Sequence, residues 1–140
     1  MTHHPVHPIH RVIARYQNGS VLKGHTMDFH PAGDRFHLLP ADSFPGTPPT
    51  EVLLTELKGL FFVHHLEGDP GHLNRNSFER TNVTPGQRIR VVFKDGEVLQ
   101  GMTLNYGPEV QGFFVLPADE RSNNERCFVV AAATREVSLL

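Results

Sequence analysis

The chain has no tryptophan and only one cysteine, Cys127, so it cannot close an internal disulfide. That usage points to a reducing compartment. No apolar run approaches the roughly 20 residues that span a bilayer, and no secretory apolar segment stands near the N-terminus. A cytoplasmic location is the expectation. Basic charge is also in short supply. Thirteen Lys and Arg against 15 Asp and Glu give a formal net charge of −2, which offers no footprint for a polyanion. A nucleic-acid partner is therefore not the first expectation. The chain lacks Gly-x-Ser-x-Gly, a Walker loop and His-Glu-x-x-His. Its one thiol lies in the apolar run Cys127-Phe128-Val129-Val130, where cysteine behaves as a small hydrophobe. The expectation is a protein that is not an enzyme and needs no cofactor.

What the chain does contain is the same segment written twice. Arg11, Gly19, Val21, Leu22, Gly24, Thr26, Pro31, Phe36, Leu39, Pro40, Ala41 and Asp42 recur at one constant offset, from Arg88, Gly96 and Val98 through to Pro117, Ala118 and Asp119. No gap interrupts the match between residues 11–42 and 88–119. A repeat longer than one hairpin implies a single folding unit used twice. Each copy of about 60 residues would bury a thin core alone, so the halves are expected to pack together. Eleven Pro and 12 Gly in 140 residues predict many turns and short strands.

Four segments follow: a His/Pro-rich arm over 1–9, a first repeat over 10–66, a polar linker over 67–86 and a second repeat over 87–140. Within the first repeat, Val12, Ala14 and Tyr16 alternate with Arg11, Ile13 and Arg15, the period of a strand. Asn18-Gly19, repeated as Asp95-Gly96, predicts a hairpin with a type I′ turn. A second strand is expected over Val21 to His30 and a third over Phe36 to Leu39, stopped by Pro40. Gly24 and Gly101 fall mid-strand, where a small barrel must bend sharply. In Glu51 to His65 a helix over Glu51–Leu57 competes with two strands kinked near Lys58-Gly59. The second copy favours strand, short link, strand, with a single turn conceivable at Ala131-Ala132-Ala133. The linker's one strand-like anchor is Ser77-Phe78. The fold expected is all-β: two tandem five-stranded SH3-like or Sm-like barrels from an internal duplication.

Ten histidines invite a metal reading. His3, His4, His7 and His10 could hold a labile transition metal, but prolines separate them and give them no common face. No metal centre is expected. His64-His65 point to opposite faces of a strand end. His25, His30 and His37 become Met102, Gly107 and Phe114 in the second copy, so the repeat fold does not need them. The most polar loop between two apolar strands is Asp119-Glu120-Arg121-Ser122-Asn123-Asn124. Its side chains suit turn capping. In a functional reading, Asp119, Ser122, Asn123, Asn124 and Arg126 form a recognition site, present once per chain because the first copy has Ser43-Phe44-Pro45-Gly46 instead.

Three resemblances bear on function. Tyr16-Gln17-Asn18-Gly19 through Gly24 to Asp28-Phe29 resembles the first motif of Sm and Hfq proteins, which implies an oligomeric RNA-binding barrel. The chain lacks a Lys-His pair, an Arg-Gly loop and basic excess. Arg11 and Arg15 have the Arg-x-x-x-Arg spacing of PilZ domains, which would imply a cyclic-dinucleotide site. The matching second motif is out of step, since Asn18-Gly19-Ser20 reaches its glycine only at Gly24, and Arg15 becomes Val92 in the second copy. Finally, Lys58-Gly59-Leu60-Phe61-Phe62-Val63, then Glu67-Gly68, and the stretch from Gly112-Phe113-Phe114 through Pro117-Ala118-Asp119 and Ser122-Asn123-Asn124 to Arg126 are similar to an uncharacterised bacterial family. Gly59 departs from its usual alanine. Some members sit beside PilZ or response-regulator modules, which implies a signalling context. Together these favour a non-catalytic adaptor that recognises a partner protein or small ligand, with exposed strand edges available for homo-oligomers.

Overall fold

The computed structural model describes residues 8–67, 86–104, 106–107, 111–119 and 122–140. His3, His4 and His7 of the arm and the Ser77-Phe78 anchor lie outside them. Each repeat supplies five strands. The first has β1 (His10–Tyr16), β2 (Val21–Thr26), β3 (Arg35–Pro40), β4 (Thr50–Leu53) and β5 (Leu57–Val63). The second has β6 (Gln87–Phe93), β7 (Val98–Thr103), β8 (Gly112–Pro117), β9 (Asn124–Val130) and β10 (Thr134–Leu139). A single 3-10 turn precedes the last strand of each, at Leu54–Glu56 and Ala131–Ala133. His10 and Gln87 start their repeats at the same offset that separates Leu54 from Ala131, so the duplication extends to the last strand without insertion. Among the described residues no helix is long and apolar enough to cross a membrane.

All ten strands form one antiparallel sheet in the order β10-β6-β7-β8-β9-β5-β1-β2-β3-β4. The repeats therefore join edge to edge, through β5 and β9, with Gly59 opposite Val129, Leu60 opposite Phe128, Phe61 opposite Cys127 and Phe62 opposite Arg126. The sheet does not close. Its bends produce two cores. One gathers Val12, Ala14, Phe36, Leu38, Val52 and Leu57; the other gathers Ile89, Val91, Phe93, Phe113 and Val115. Strands β5 and β9 are the wall between them. Leu60, Phe62, Phe128 and Val130 face the first core, and Phe61, Val63, Cys127 and Val129 face the second. A strand covered on both faces needs apolar side chains at consecutive positions rather than alternate ones. That is the physical reason for the unbroken Leu60-Phe61-Phe62-Val63. Cys127 is fully buried, and desolvation pushes its thiol well above the ordinary range.

Three local expectations need correction. Gly19 and Gly96 do occupy the hairpins with positive φ, but Asn18 and Asp95 do not. Gly19 N–H donates to the Tyr16 carbonyl and Tyr16 N–H to the Ser20 carbonyl, so the loop is a three-residue turn closed by a left-handed glycine, not type I′. The side-chain oxygens of Asn18 and Asp95 accept the N–H groups of Ser20 and Glu97, stabilising that alternative. Strand β2 ends at Thr26 rather than His30, because the Thr26 hydroxyl turns aside to the His37 carbonyl. The break before β5 falls at Leu54–Glu56, not Lys58-Gly59, since Leu54 is drawn into the core and Gly59 lies mid-strand. The expected sharp approach at Gly24 and Gly101 is present: a Cβ at either would run into the backbone carbonyl of Leu39 or Leu116.

Candidate functional site

Two clusters of polar side chains and one apolar groove stand out. The first cluster locks the repeats together. Lys58 on β5 has only 6% of its side chain exposed, yet carries its ammonium to Asp95 at 2.7 Å and to Glu97 in the β6–β7 hairpin. Its Nζ also lies 4.7 Å from the centre of the Phe93 ring. Arg15 on β1 grips the same Glu97 carboxylate with both terminal nitrogens, at 2.8 and 3.2 Å. Burial pushes the Glu97 carboxyl upward, but the hydrogen bonds from Arg15 and Lys58 outweigh it and hold the group below its usual value. The Lys58 hydrogen bond likewise lowers Asp95.

The second cluster is the polar loop. Asp119 and Ser122 are buried. The Ser122 N–H donates to the Asp119 carbonyl at 3.1 Å, and the Asn124 N–H donates to the Ser122 hydroxyl at 3.0 Å. The Asn123 carboxamide pairs with both backbone groups of His65, accepting at 2.9 Å and donating at 2.9 Å, and so pins the loop to the end of β5. Arg126 lies over Phe62 at 4.3 Å and Phe114 at 5.1 Å. Arg11 reaches the same region, donating to the His64 carbonyl at 3.1 Å, whereas Arg15 belongs to the Lys58 network. Of the expected site residues, the structure thus gathers Asp119, Ser122, Asn123, Asn124 and Arg126 with Arg11 near the β5 end, and sends Arg15 elsewhere. His10 packs edge-on against Phe62 at 5.3 Å. Among the described residues no three His, Cys, Asp or Glu side chains group closely enough to hold a metal ion.

The groove is on the first repeat, over residues of β2 and β3 and the Thr47–Pro49 segment that leads into β4. Ile9, His25, Met27, His37, Leu39, Thr47 and Pro49 line a cavity of about 810 Å³. Met27 and Leu39 remain 58% and 43% exposed. Asp28 fixes its rim: its carboxylate accepts the His37 backbone N–H at 2.9 Å and sits 2.7 Å from His37 Nδ1. Burial works against the charge on Asp28, but the His37 and Thr26 hydrogen bonds prevail and lower its pKa.

Sequence reasoning sets His25 and His37 aside and misses the groove. The signal is in the repeat itself. At the repeat offset, His37, Thr47 and Pro49 correspond to Phe114, Asn124 and Arg126. There Phe114 and Arg126 are occupied: they flank Phe62 of β5, the Phe62 and Phe114 ring centres lying 6.1 Å apart. The second repeat's version of this surface is filled by a strand of the first. Among the described residues no strand fills the first repeat's version.

The fold is thus a duplicated all-β protein in which a strand of the first repeat covers one surface of the second, while the equivalent surface of the first is a groove. The chain belongs to a family of unknown function, DUF6982, which it matches over residues 9–140. No curated protein and no solved structure matches it.

Proposed function

We propose that this protein is a non-catalytic binding module, an adaptor that docks an extended, apolar polypeptide segment in the groove of its first repeat. The observation that carries this reading is the open groove itself, equivalent by position to the surface on which Phe62 rests in the second repeat. The lining residue Pro49 leads directly into β4, an outermost strand of the sheet, so backbone pairing there can supply affinity while Met27 and Leu39 receive alternate side chains. The resemblances suggest a cytoplasmic bacterial signalling context for such a module. In finer description each repeat is a small SH3-like or Sm-like barrel. The meander β1-β2-β3-β4 with β5 returning to β1, repeated in β6 to β10, supports that description. The RNA-binding and cyclic-dinucleotide readings draw less support: the net charge is −2, and Arg15 is committed to Glu97.

A display library of extended peptides, each about six residues long as in an ordinary strand, tests the proposal. Selection on the native protein should enrich peptides with alternating apolar residues. The double substitution Met27→Asp with Leu39→Asp should weaken them at least tenfold, about 1.4 kcal/mol. Selection that returns no binders, or binders indifferent to the double substitution, would contradict it.

A further inference from the structure

We infer that the occupant of the groove is strand β10 of a second copy of this chain, docked head to tail in the register that β5 keeps with β9. The inference rests on the binding reading above and names its partner. Strand β10 is the repeat equivalent of β5, and β4 is the equivalent of β9. Among the described residues both are the outermost strands of the ten-stranded sheet, each paired on one side only. The junction inside the chain is therefore half of a pattern whose other halves face outward, one at each end.

The register carries over residue by residue. Moved by the repeat offset, the internal pairs Gly59–Val129, Leu60–Phe128, Phe61–Cys127 and Phe62–Arg126 become Glu136 of one copy opposite Val52 of the next, then Val137 opposite Glu51, Ser138 opposite Thr50 and Leu139 opposite Pro49. Leu139 then takes the place of Phe62, and His37 and Pro49 take those of Phe114 and Arg126. The side chains that would meet are apolar and uncovered: Leu139 is 45% exposed on one end, and Met27 and Leu39 are open on the other, while Leu140 takes the place of Val63 on the opposite face of the strand. Such a contact uses different surfaces on the two partners, so it propagates into rings or filaments rather than closing as a symmetric pair.

The outer contact is weaker than the inner one for reasons visible in the same comparison. The positions of Asp95 and Glu97, which hold Lys58, are Asn18 and Ser20 in the first repeat, so Arg135 meets no acid there. Pro48 and Pro49 carry no N–H, and proline shortens the edge that β4 can offer. Glu136 replaces Gly59, a position where a Cβ approaches the opposite carbonyl to 3.0 Å. The association is accordingly reversible and concentration-dependent.

Sedimentation equilibrium on the full chain provides the test, with two blocked variants. Leu139→Asp with Leu140→Asp disables the tail; Met27→Asp with Leu39→Asp disables the groove. The native chain should gain mass steadily from micromolar to millimolar concentration, and each variant alone should stay a monomer. Mixed in equal amounts, the variants retain one intact tail and one intact groove between them, so the mass should double and rise no further. That pairing also shows that both variants are folded. A native chain that stays monomeric throughout, a symmetric dimer, or a mixture that does not pair would overturn the inference. A monomer that still binds library peptides in the groove leaves the adaptor reading standing, whereas one that binds neither removes both.

Discussion

Changing Asp95 to Asn and Glu97 to Gln together is expected to destabilise the fold by about 2–4 kcal/mol, because it leaves the buried Lys58 ammonium without an anion. The amide oxygens can still accept its hydrogen bonds, so the loss is of charge rather than of geometry. Lys58→Met should cost much less, within about 1 kcal/mol. It keeps the stem packed on Phe93, and the two carboxylates it abandons are half exposed, where ion pairs are worth little. The pH dependence has a definite sign. Asp95 and Glu97 both titrate below their usual values in the folded protein. Their contribution is complete above the unfolded carboxyl range of about 4 and disappears as pH falls through the lower folded values. Urea denaturation of the native chain across acid pH should show this loss, and the double amide variant should lack that part of the slope. An unchanged acid limb in the variant would mean that other carboxylates carry it.

Phe128→Ala should cost more still, about 3–5 kcal/mol, the usual range for emptying a fully buried aromatic site. Phe128 belongs to the second repeat by sequence, but its ring sits in the first repeat's core, 5.2 Å from Phe29 and 5.2 Å from Phe114. Its equivalent in the first repeat is Glu51, an exposed residue paired with Arg35. Glu51→Ala should change stability by no more than about 0.5–1 kcal/mol. The same repeat position thus gives opposite outcomes, because β9 is an inner strand and β4 an outer one. Comparable losses from both substitutions, measured by thermal or urea unfolding, would contradict the arrangement of the sheet.

These residues also mark how far the sequence can be read. The duplication is legible as a self-match at one fixed offset, the hairpins at Gly19 and Gly96 because they depend on neighbours a few residues away, and the tight approach at Gly24 and Gly101 because a glycine recurs mid-strand in both copies. The joining of β5 to β9 is not, since edge pairing between distant strands leaves no local period. Its one trace, the run Leu60-Phe61-Phe62-Val63, suits a kinked strand as well as one buried on both faces. The turn type escapes the sequence because Asn-Gly fits two hairpin loops, and the Ser20 and Glu97 N–H groups decide between them. For the candidate site, the polar loop is visible in the sequence, but its ties to His65 and Phe62 join distant parts of the chain and require the fold. The groove requires the fold and the repeat together. Each of His37, Leu39 and Pro49 is unremarkable alone; the contrast of His37 with Phe114 and Pro49 with Arg126 gives them meaning.

The shared wall of β5 and β9 is the template for everything inferred about the open groove, and residue-resolved amide hydrogen exchange examines it most directly. Strands paired on both sides and covered on both faces should open only when the whole protein unfolds. The amides of Gly59–Phe62 and Cys127–Val129 are therefore predicted to exchange most slowly, at one common free energy equal to that of global unfolding, while β4 and β10 exchange fastest among the strands. Exchange of β5 and β9 by separate local openings, or at the rate of the outer strands, would show that the repeats fold as independent units and would contradict the account.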